Sequence, residues 1–179
     1  MPPHRTEIVY SAGVSLDGYI ADKDDGVDWL HAAMVKGESY GLDAFQRSID
    51  AVLMGSRTYE VSMGLGGRPG SKTPCWVFSR RPLNARGKGL IVTRETPSAV
   101  AAELSQRGIR RAWLMGGGKL ASSFLAAGLI DELSIGLMPV VLGGGIPLFD
   151  GGIRPTHLKL VKKEEFKGGA LGLTFRPVS

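Results

Sequence analysis

The order of apolar patterns along this chain predicts an α/β fold, a mostly parallel sheet covered on both faces by helices, with antiparallel strands added at the end. Three observations carry that expectation. Short apolar strand-like runs alternate with helical stripes through the first two thirds of the sequence. From Ile130 onward the period is that of strands alone. Glycine, or threonine followed by proline, punctuates the junctions between strands and helices. With 179 residues, 43% of them apolar, the chain can bury a real core, and no repeat, linker or low-complexity tract divides it. Residues 1–179 therefore read as a single domain.

Ile8 to Leu16 alternates, placing Ile8, Tyr10, Ala12, Val14 and Leu16 on one face and the smaller Val9, Ser11, Gly13 and Ser15 on the other. The thin face would let a flat group approach the backbone. Leu16-Asp17-Gly18 is a turn signal, and Asp22 to Gly37 reads as an irregular functional loop. Leu42, Phe45 and Ile49 recur at helical spacing, Ala51 to Gly55 is a short buried strand, and Ser56 begins a helix carrying Tyr59 and Met63. A glycine-rich loop, Gly64 to Lys72, precedes a strand at Cys75 to Phe78, and Leu90 to Val92 is another. Thr96-Pro97 caps a helix bearing Val100 and Leu104 that stops at Gly108. Ala112 to Met115 is a strand, Gly116-Gly117-Gly118 its exit, and Leu120, Phe124 and Leu125 stripe a helix ending at Gly128. Glu132 to Val141 is a strand, and Leu158 to Phe166 with Leu171 to Phe175 form a hairpin across Lys167-Gly168-Gly169.

Composition removes several classes of function. Twenty-six glycines follow no Gly-X-Y period, which excludes collagen. No apolar run approaches the roughly 20 residues that span a bilayer, and Met1 to Glu7 has no secretory signature, so the expected setting is cytoplasmic, away from membranes. Cys75 is the only cysteine, and His4, His31 and His157 lack ligand spacing, which argues against a disulfide or a structural metal. The net charge of +5 comes from basic pairs rather than a stripe, so a nucleic-acid partner is not expected. The chain has no G-x-x-x-x-G-K-[ST], G-x-S-x-G or H-E-x-x-H.

In an open parallel sheet, ligands sit beyond the carboxyl ends of strands, and four such exits are chemically distinctive. Gly116, Gly117, Gly118, Lys119, Leu120 and Ala121 fit the G-x-G-x-x-A form in which bare backbone meets a pyrophosphate at a helix start; the other reading is a tight turn that requires glycine. The acidic partner that usually follows is missing, since Asp131 and Glu132 begin a strand. Gly55, Ser56, Arg57 and Thr58 offer amides, hydroxyls and a guanidinium to phosphate, or else form a Ser-capped helix with a solvated arginine. Ser79 and Arg80, with Arg81, would suit a ribose 2′-phosphate and so favour NADP over NAD, or would form a solvated turn before Pro82. At the fourth exit a nicotinamide could lie against Gly13 and Ile20, with Asp17 as the candidate catalytic acid or orienting group, or as a turn former. Trp29, beside Asp28, could floor a heterocycle site or belong to the core, and Gly143-Gly144-Gly145 reads as a bulge or turn.

Ser15 to Ala21, Asp28-Trp29-Leu30, Leu53 to Glu60, Pro74 to Arg80, Met115 to Lys119, Leu129 to Leu133 and Pro139 to Phe149 together resemble the dihydrofolate reductase-like family, nearest to stand-alone proteins similar to the reductase domain of the bifunctional riboflavin-biosynthesis enzyme. The resemblance implies an eight-stranded sheet flanked by about four helices, NADPH bound across the strand exits, and frequently a homodimer. By position it assigns Gly13 and Ile20 to the nicotinamide, Gly55, Arg57 and Thr58 to the pyrophosphate side, Ser79 and Arg80 to the 2′-phosphate, and Gly116 to Leu120 to the pyrophosphate. Asp28, Trp29 and Tyr59 are the candidate substrate contacts. Where dihydrofolate reductases carry a carboxylate five residues beyond the tryptophan, this chain has Met34, and Gly55-Ser56-Arg57-Thr58 displaces the usual arginine by one position. The function implied is hydride transfer from NADPH to a pterin-, pyrimidine- or related small heterocycle. The alternatives are a catalytically idle NADP(H)-binding protein on the same fold or a true dihydrofolate reductase.

Overall fold

The computed structural model describes residues 4–85 and 87–178. Its main sheet has eight strands in the order β5-β4-β3-β6-β1-β7-β10-β9. They are β1 (Glu7–Ser15), β3 (Ala51–Gly55), β4 (Cys75–Phe78), β5 (Leu90–Thr93), β6 (Arg111–Gly116), β7 (Glu132–Met138), β9 (Leu158–Glu165) and β10 (Leu171–Pro177). The first six run parallel, and β10 is antiparallel to both β7 and β9. A separate two-stranded ribbon pairs β2 (Tyr19–Ala21) with β8 (Ile146–Pro147).

Strand β1 lies between β6 and β7, so both its edges are paired, and helices pack on both faces of the sheet. Val9 and Ser15 are accordingly as buried as Ile8, Tyr10 and Val14. Leu16, which alternation placed with the core face, is 62% exposed because the strand ends at Ser15 and the chain turns at Gly18, φ 91°. Two helices, α4 (Pro97–Gln106) and α5 (Gly118–Ala126), cover one face of the sheet. There Val100, Leu104 and Phe124 pack with Trp76, Leu53 and Leu114 in the principal core. Three more, α1 (Asp28–Ala33), α2 (Leu42–Arg47) and α3 (Ser56–Gly64), cover the other. On that side Phe45 meets Trp113 edge-on at 5.4 Å, and a second core cluster gathers Met54, Tyr59, Cys75 and Val77.

The junction signals act as their chemistry requires. Thr96 caps α4, its hydroxyl accepting from the Ala99 amide at 3.2 Å, and Gly108 and Gly128 follow α4 and α5 with φ of 74° and 66°. Three expectations need correction. Asp22 to Gly37 is not wholly irregular, since it contains α1; the strand after Ile130 stops at Met138 rather than Val141; and the ribbon β2–β8 replaces what read as loop. Five helices flank the sheet, against about four expected.

The two ends of the parallel strands differ. At the amino end the chain's own carboxylates bridge neighbouring strands: Asp131 accepts from the Ile8 amide at 2.8 Å, and Asp50 accepts from the amides of Arg110 and Arg111. Arg111 also pairs with Glu7 and Glu132. The carboxyl end has no such stitching by carboxylates between β4, β3 and β6 among the described residues, and it is there that the distinctive exits lie.

Candidate active site

Strands β4, β3, β6 and β1 are consecutive neighbours and parallel, so their four exits line one edge of the sheet. Three interstrand spacings of about 4.8 Å separate the outer two, a span of roughly 14 Å. The glycines bring the inner exits into contact. A Cβ built on Gly55 would lie 3.8 Å from the Gly116 carbonyl oxygen and 3.9 Å from the Gly117 nitrogen. One built on Gly117 would lie 3.6 Å from Thr58 Oγ1 and 4.0 Å from Ile20 Cδ1. Gly55, Thr58, Gly116, Gly117 and Ile20 thus surround one crevice. The Gly116–Gly117 peptide is cis.

Two nine-residue helices begin at this crevice without a side-chain cap. The N-cap of α3 is Gly55 and that of α5 is Gly117, and neither helix start receives a side-chain hydrogen bond. The Ser-capped reading of Ser56 is therefore not what is found: Ser56 is the first helical residue. Uncapped amides at both helix starts, with bare glycine backbone between them, suit the oxygens of a pyrophosphate. Leu120 is half-buried against the principal core as part of the α5 stripe, whereas the Lys119 ammonium is 87% exposed, 3.9 Å from Asp150.

Beside the crevice an open cleft of about 640 Å³ is lined by Ser56, Arg57, Glu60 and Arg81, with Asp24, Asp25 and Val61. Its cations are paired. Arg57 Nε donates to Asp25 at 2.6 Å, and Arg81 Nη2 donates to both carboxylate oxygens of Glu60, each at 2.6 Å. The Glu60 hydrogen bonds, with its negative charge, raise the Arg81 guanidinium further above its already high ordinary pKa. Ser79 is buried, and its hydroxyl donates to the Arg81 carbonyl at 2.7 Å, which fixes the turn leaving β4. Arg80 is exposed and outside the cleft lining; the guanidinium that faces the cleft is that of Arg81.

At the β1 exit, Asp17 is already committed to hydrogen bonds. It accepts from the Ser15 hydroxyl at 2.7 Å, the Leu142 amide at 3.0 Å and the Gly143 amide at 2.7 Å. The Ser15 hydroxyl foremost, then the Leu142 amide, holds its carboxyl below the ordinary carboxylate range. A group so held is ionised and donates no proton near neutrality, so of the two roles expected for Asp17 the geometry favours orientation. Gly143 has φ 74°, the turn its sequence suggested, and the β2–β8 ribbon it leads into packs beside α5: a Cβ on Gly118 would come within 2.3 Å of the Pro147 carbonyl.

The substrate candidates are divided. The Trp29 indole N–H is buried with no partner among the described residues, while Asp28 is exposed in the first turn of α1. Leu30 packs on Gly13, where a Cβ would meet Leu30 Cδ1 at 2.9 Å, so the space over the thin face of β1 that a nicotinamide was expected to use is filled by this side chain. Tyr59 is corrected: only 5% exposed, it points inward from α3 among Met54, Cys75 and Val77 and is a packing residue. Burial pushes the Cys75 thiol up to about 12, which leaves it inert. Glu60 and Arg81 were not singled out as partners in the sequence, because their pairing joins a helix to a turn 21 residues away. No three His, Cys, Asp or Glu side chains among the described residues group as a metal site would.

An eight-stranded, mostly parallel sheet with glycine-lined exits along one edge and a C-terminal antiparallel hairpin defines a dihydrofolate reductase-like protein. More narrowly, residues 6–171 match the family described as the RibD C-terminal domain, and the chain belongs to that family. It is 35% identical to the uncharacterized protein YwjB of Bacillus subtilis over 163 residues, covering 90% of this chain and 92% of the relative. The crystal structure of a putative riboflavin biosynthesis protein from Shewanella sp. PV-4 superposes with a TM-score of 0.87 at 25% identity, covering 97% of this chain and all of that one. Dihydrofolate reductase from Enterococcus faecalis, complexed with NADP(H) and RAB-propyl, shares the fold at a TM-score of 0.66 and 14% identity, covering 98% and 99% of the two chains. The family match and the shared fold extend over most of the chain.

Proposed function

We propose that this protein is an NADPH-dependent reductase acting in the cytoplasm on a small pyrimidine-, pterin- or related heterocycle, of the 5-amino-6-(5-phosphoribosylamino)uracil reductase type, and that it works as a homodimer built on one domain. The observation that carries the reading is that the glycine exits of β3 and β6 meet at one crevice, beside a cleft lined by Arg57 and Arg81. The residues present fit a phosphorylated dinucleotide. Gly55, Gly117 and the uncapped starts of α3 and α5 would hold the pyrophosphate, with Thr58 beside it. The ribose phosphate would be gripped in the adjoining cleft, where Arg81 of the Ser79-Arg80-Arg81 turn stands with Arg57.

When bound, such a coenzyme supplies the hydride. The chain's own residues position and exclude. Ile20, in contact range of Gly117, would close the crevice on its nicotinamide side. Asp17 keeps the β1 exit tied to the Leu142-Gly143 turn. The buried indole N–H of Trp29 is the donor a heterocycle carbonyl would take up.

The test is NADPH oxidation followed with a panel of pyrimidine and pterin substrates, alongside melting temperature with each coenzyme. Turnover with one of them is the expected result. A melting-temperature rise on NADPH without turnover across the panel identifies an idle binder, and no rise at all with either coenzyme overturns the reading.

A further inference from the structure

Glu60 holds Arg81 by a single terminal nitrogen, so the remaining guanidinium donors, Nε and Nη1, are uncommitted among the described residues. The two side chains are 48% and 57% exposed, and an ion pair that open to water is weak. It sits in the lining of the cleft shared with Ser56 and Arg57, next to the buried Ser79 that fixes the turn. A carboxylate and a phosphate monoester present the same kind of acceptor oxygens to a guanidinium, and the phosphate carries more charge.

We propose that Glu60 is an internal stand-in for a phosphate monoester: it keeps Arg81 folded over the cleft in the free protein and yields it to the ribose 2′-phosphate of the bound nucleotide, which makes Glu60 a determinant of phosphate selectivity. The inference rests on the coenzyme reading above and extends it to a residue outside the glycine-rich exits. Because the carboxylate must be displaced, the pair lowers affinity for every ligand that carries the 2′-phosphate monoester by the strength of one exposed ion pair and lowers affinity for NADH not at all.

The experiment measures Kd for NADPH, NADH and 2′,5′-ADP with the wild-type chain, Glu60→Gln, Arg81→Ala, the double variant, and Asp24→Asn as a second carboxylate of the same cleft. Glu60→Gln is expected to tighten NADPH and 2′,5′-ADP by about two- to fivefold while NADH stays unchanged. Arg81→Ala is expected to weaken NADPH and 2′,5′-ADP by on the order of tenfold, and Glu60→Gln to add nothing in its background. Equal tightening of NADH, a gain that persists without Arg81, or the same gain from Asp24→Asn would each reduce Glu60 to a general field effect and overturn the proposal. Wild-type binding of NADPH with no dependence on Glu60 defeats this inference alone. Failure to bind either coenzyme defeats the coenzyme reading, and this inference with it.

Discussion

Gly116 is glycine because its φ is 112°, and Gly118 because a Cβ there would strike the Pro147 carbonyl at 2.3 Å. Gly117 has neither reason. Its φ is −76°, and a Cβ would sit at ordinary contact distance from Thr58 and Ile20. What its missing side chain provides is the crevice itself. Gly117→Ala should therefore leave the melting temperature nearly unchanged, since alanine at a compatible φ costs little, while NADPH binding weakens by on the order of tenfold. A drop in melting temperature with unaltered Kd would instead make Gly117 a folding residue. Asp17 carries a pH signature. Its folded pKa lies below the ordinary value, so its contribution to stability is complete above that value and is lost as pH falls through the lowered one. Acid melting curves of Asp17→Asn should be flatter than wild type between about pH 5 and pH 3, and turnover should fall at neutral pH with coenzyme affinity retained. Matching pH curves, or full turnover, would count against a positioning role. Asp17 and its turn were visible in the sequence as Leu16-Asp17-Gly18, but its partners lie 125 and 126 residues away and nothing local announces them.

The helices and strands whose signals are local are the ones the sequence describes well. Thr96-Pro97 and Gly108 bracket α4, and the Cys75 to Phe78 strand is found with the same bounds. The short pieces are different. The ribbon β2–β8 has three residues on one side and two, ending in a proline, on the other, so it has no period of its own, and its flanks are tied by Asp17, by Tyr10 and by the Leu148 amide donating to the Gly18 carbonyl at 2.9 Å. Tyr10 does so by donating its buried hydroxyl to the Leu148 carbonyl at 2.7 Å. Helix α1 has six residues and buries none, so no stripe marks it. Tyr59 differs from its expected role for a related reason: helical spacing puts it on a face with Met63, yet Tyr59 is buried and Met63 is 46% exposed, so spacing alone does not tell which of the two reaches the core. The capping geometry of α4 makes a numerical prediction. Thr96→Ala should cost about 1 kcal/mol, or a melting temperature lower by about 2–4 °C in a chain of this length, without touching coenzyme binding. An unchanged melting temperature would mean that the Thr96–Ala99 bond contributes nothing net.

The sheet has an edge strand at each margin, β5 and β9, and β9 is the more exposed. Strand β9 pairs only with β10, and all eight of its residues are exposed, including Leu158, Leu160 and Val161. Its run Lys162-Lys163-Glu164-Glu165 is self-complementary: an antiparallel second copy centred between Lys163 and Glu164 would set Lys162 against Glu165 and Lys163 against Glu164. The proposed homodimer should therefore dissociate in gel filtration when Lys162 and Lys163 are both replaced by glutamate, and re-form when Glu164 and Glu165 are also replaced by lysine. A wild-type monomer, or a dimer indifferent to both changes, would move the interface elsewhere or remove it. The remaining architecture, with parallel strands stitched by carboxylates at their amino ends and bare glycine at their carboxyl ends, concentrates ligand chemistry along one edge. Amide NMR during titration with NADPH tests that arrangement without presuming a substrate. Resonances of Gly55, Ser79 and Gly117 should shift together with a common Kd, while those of Arg111 and Glu132 at the far end stay still. Shifts scattered over both ends of the sheet, or confined to one of the three exits, would contradict it.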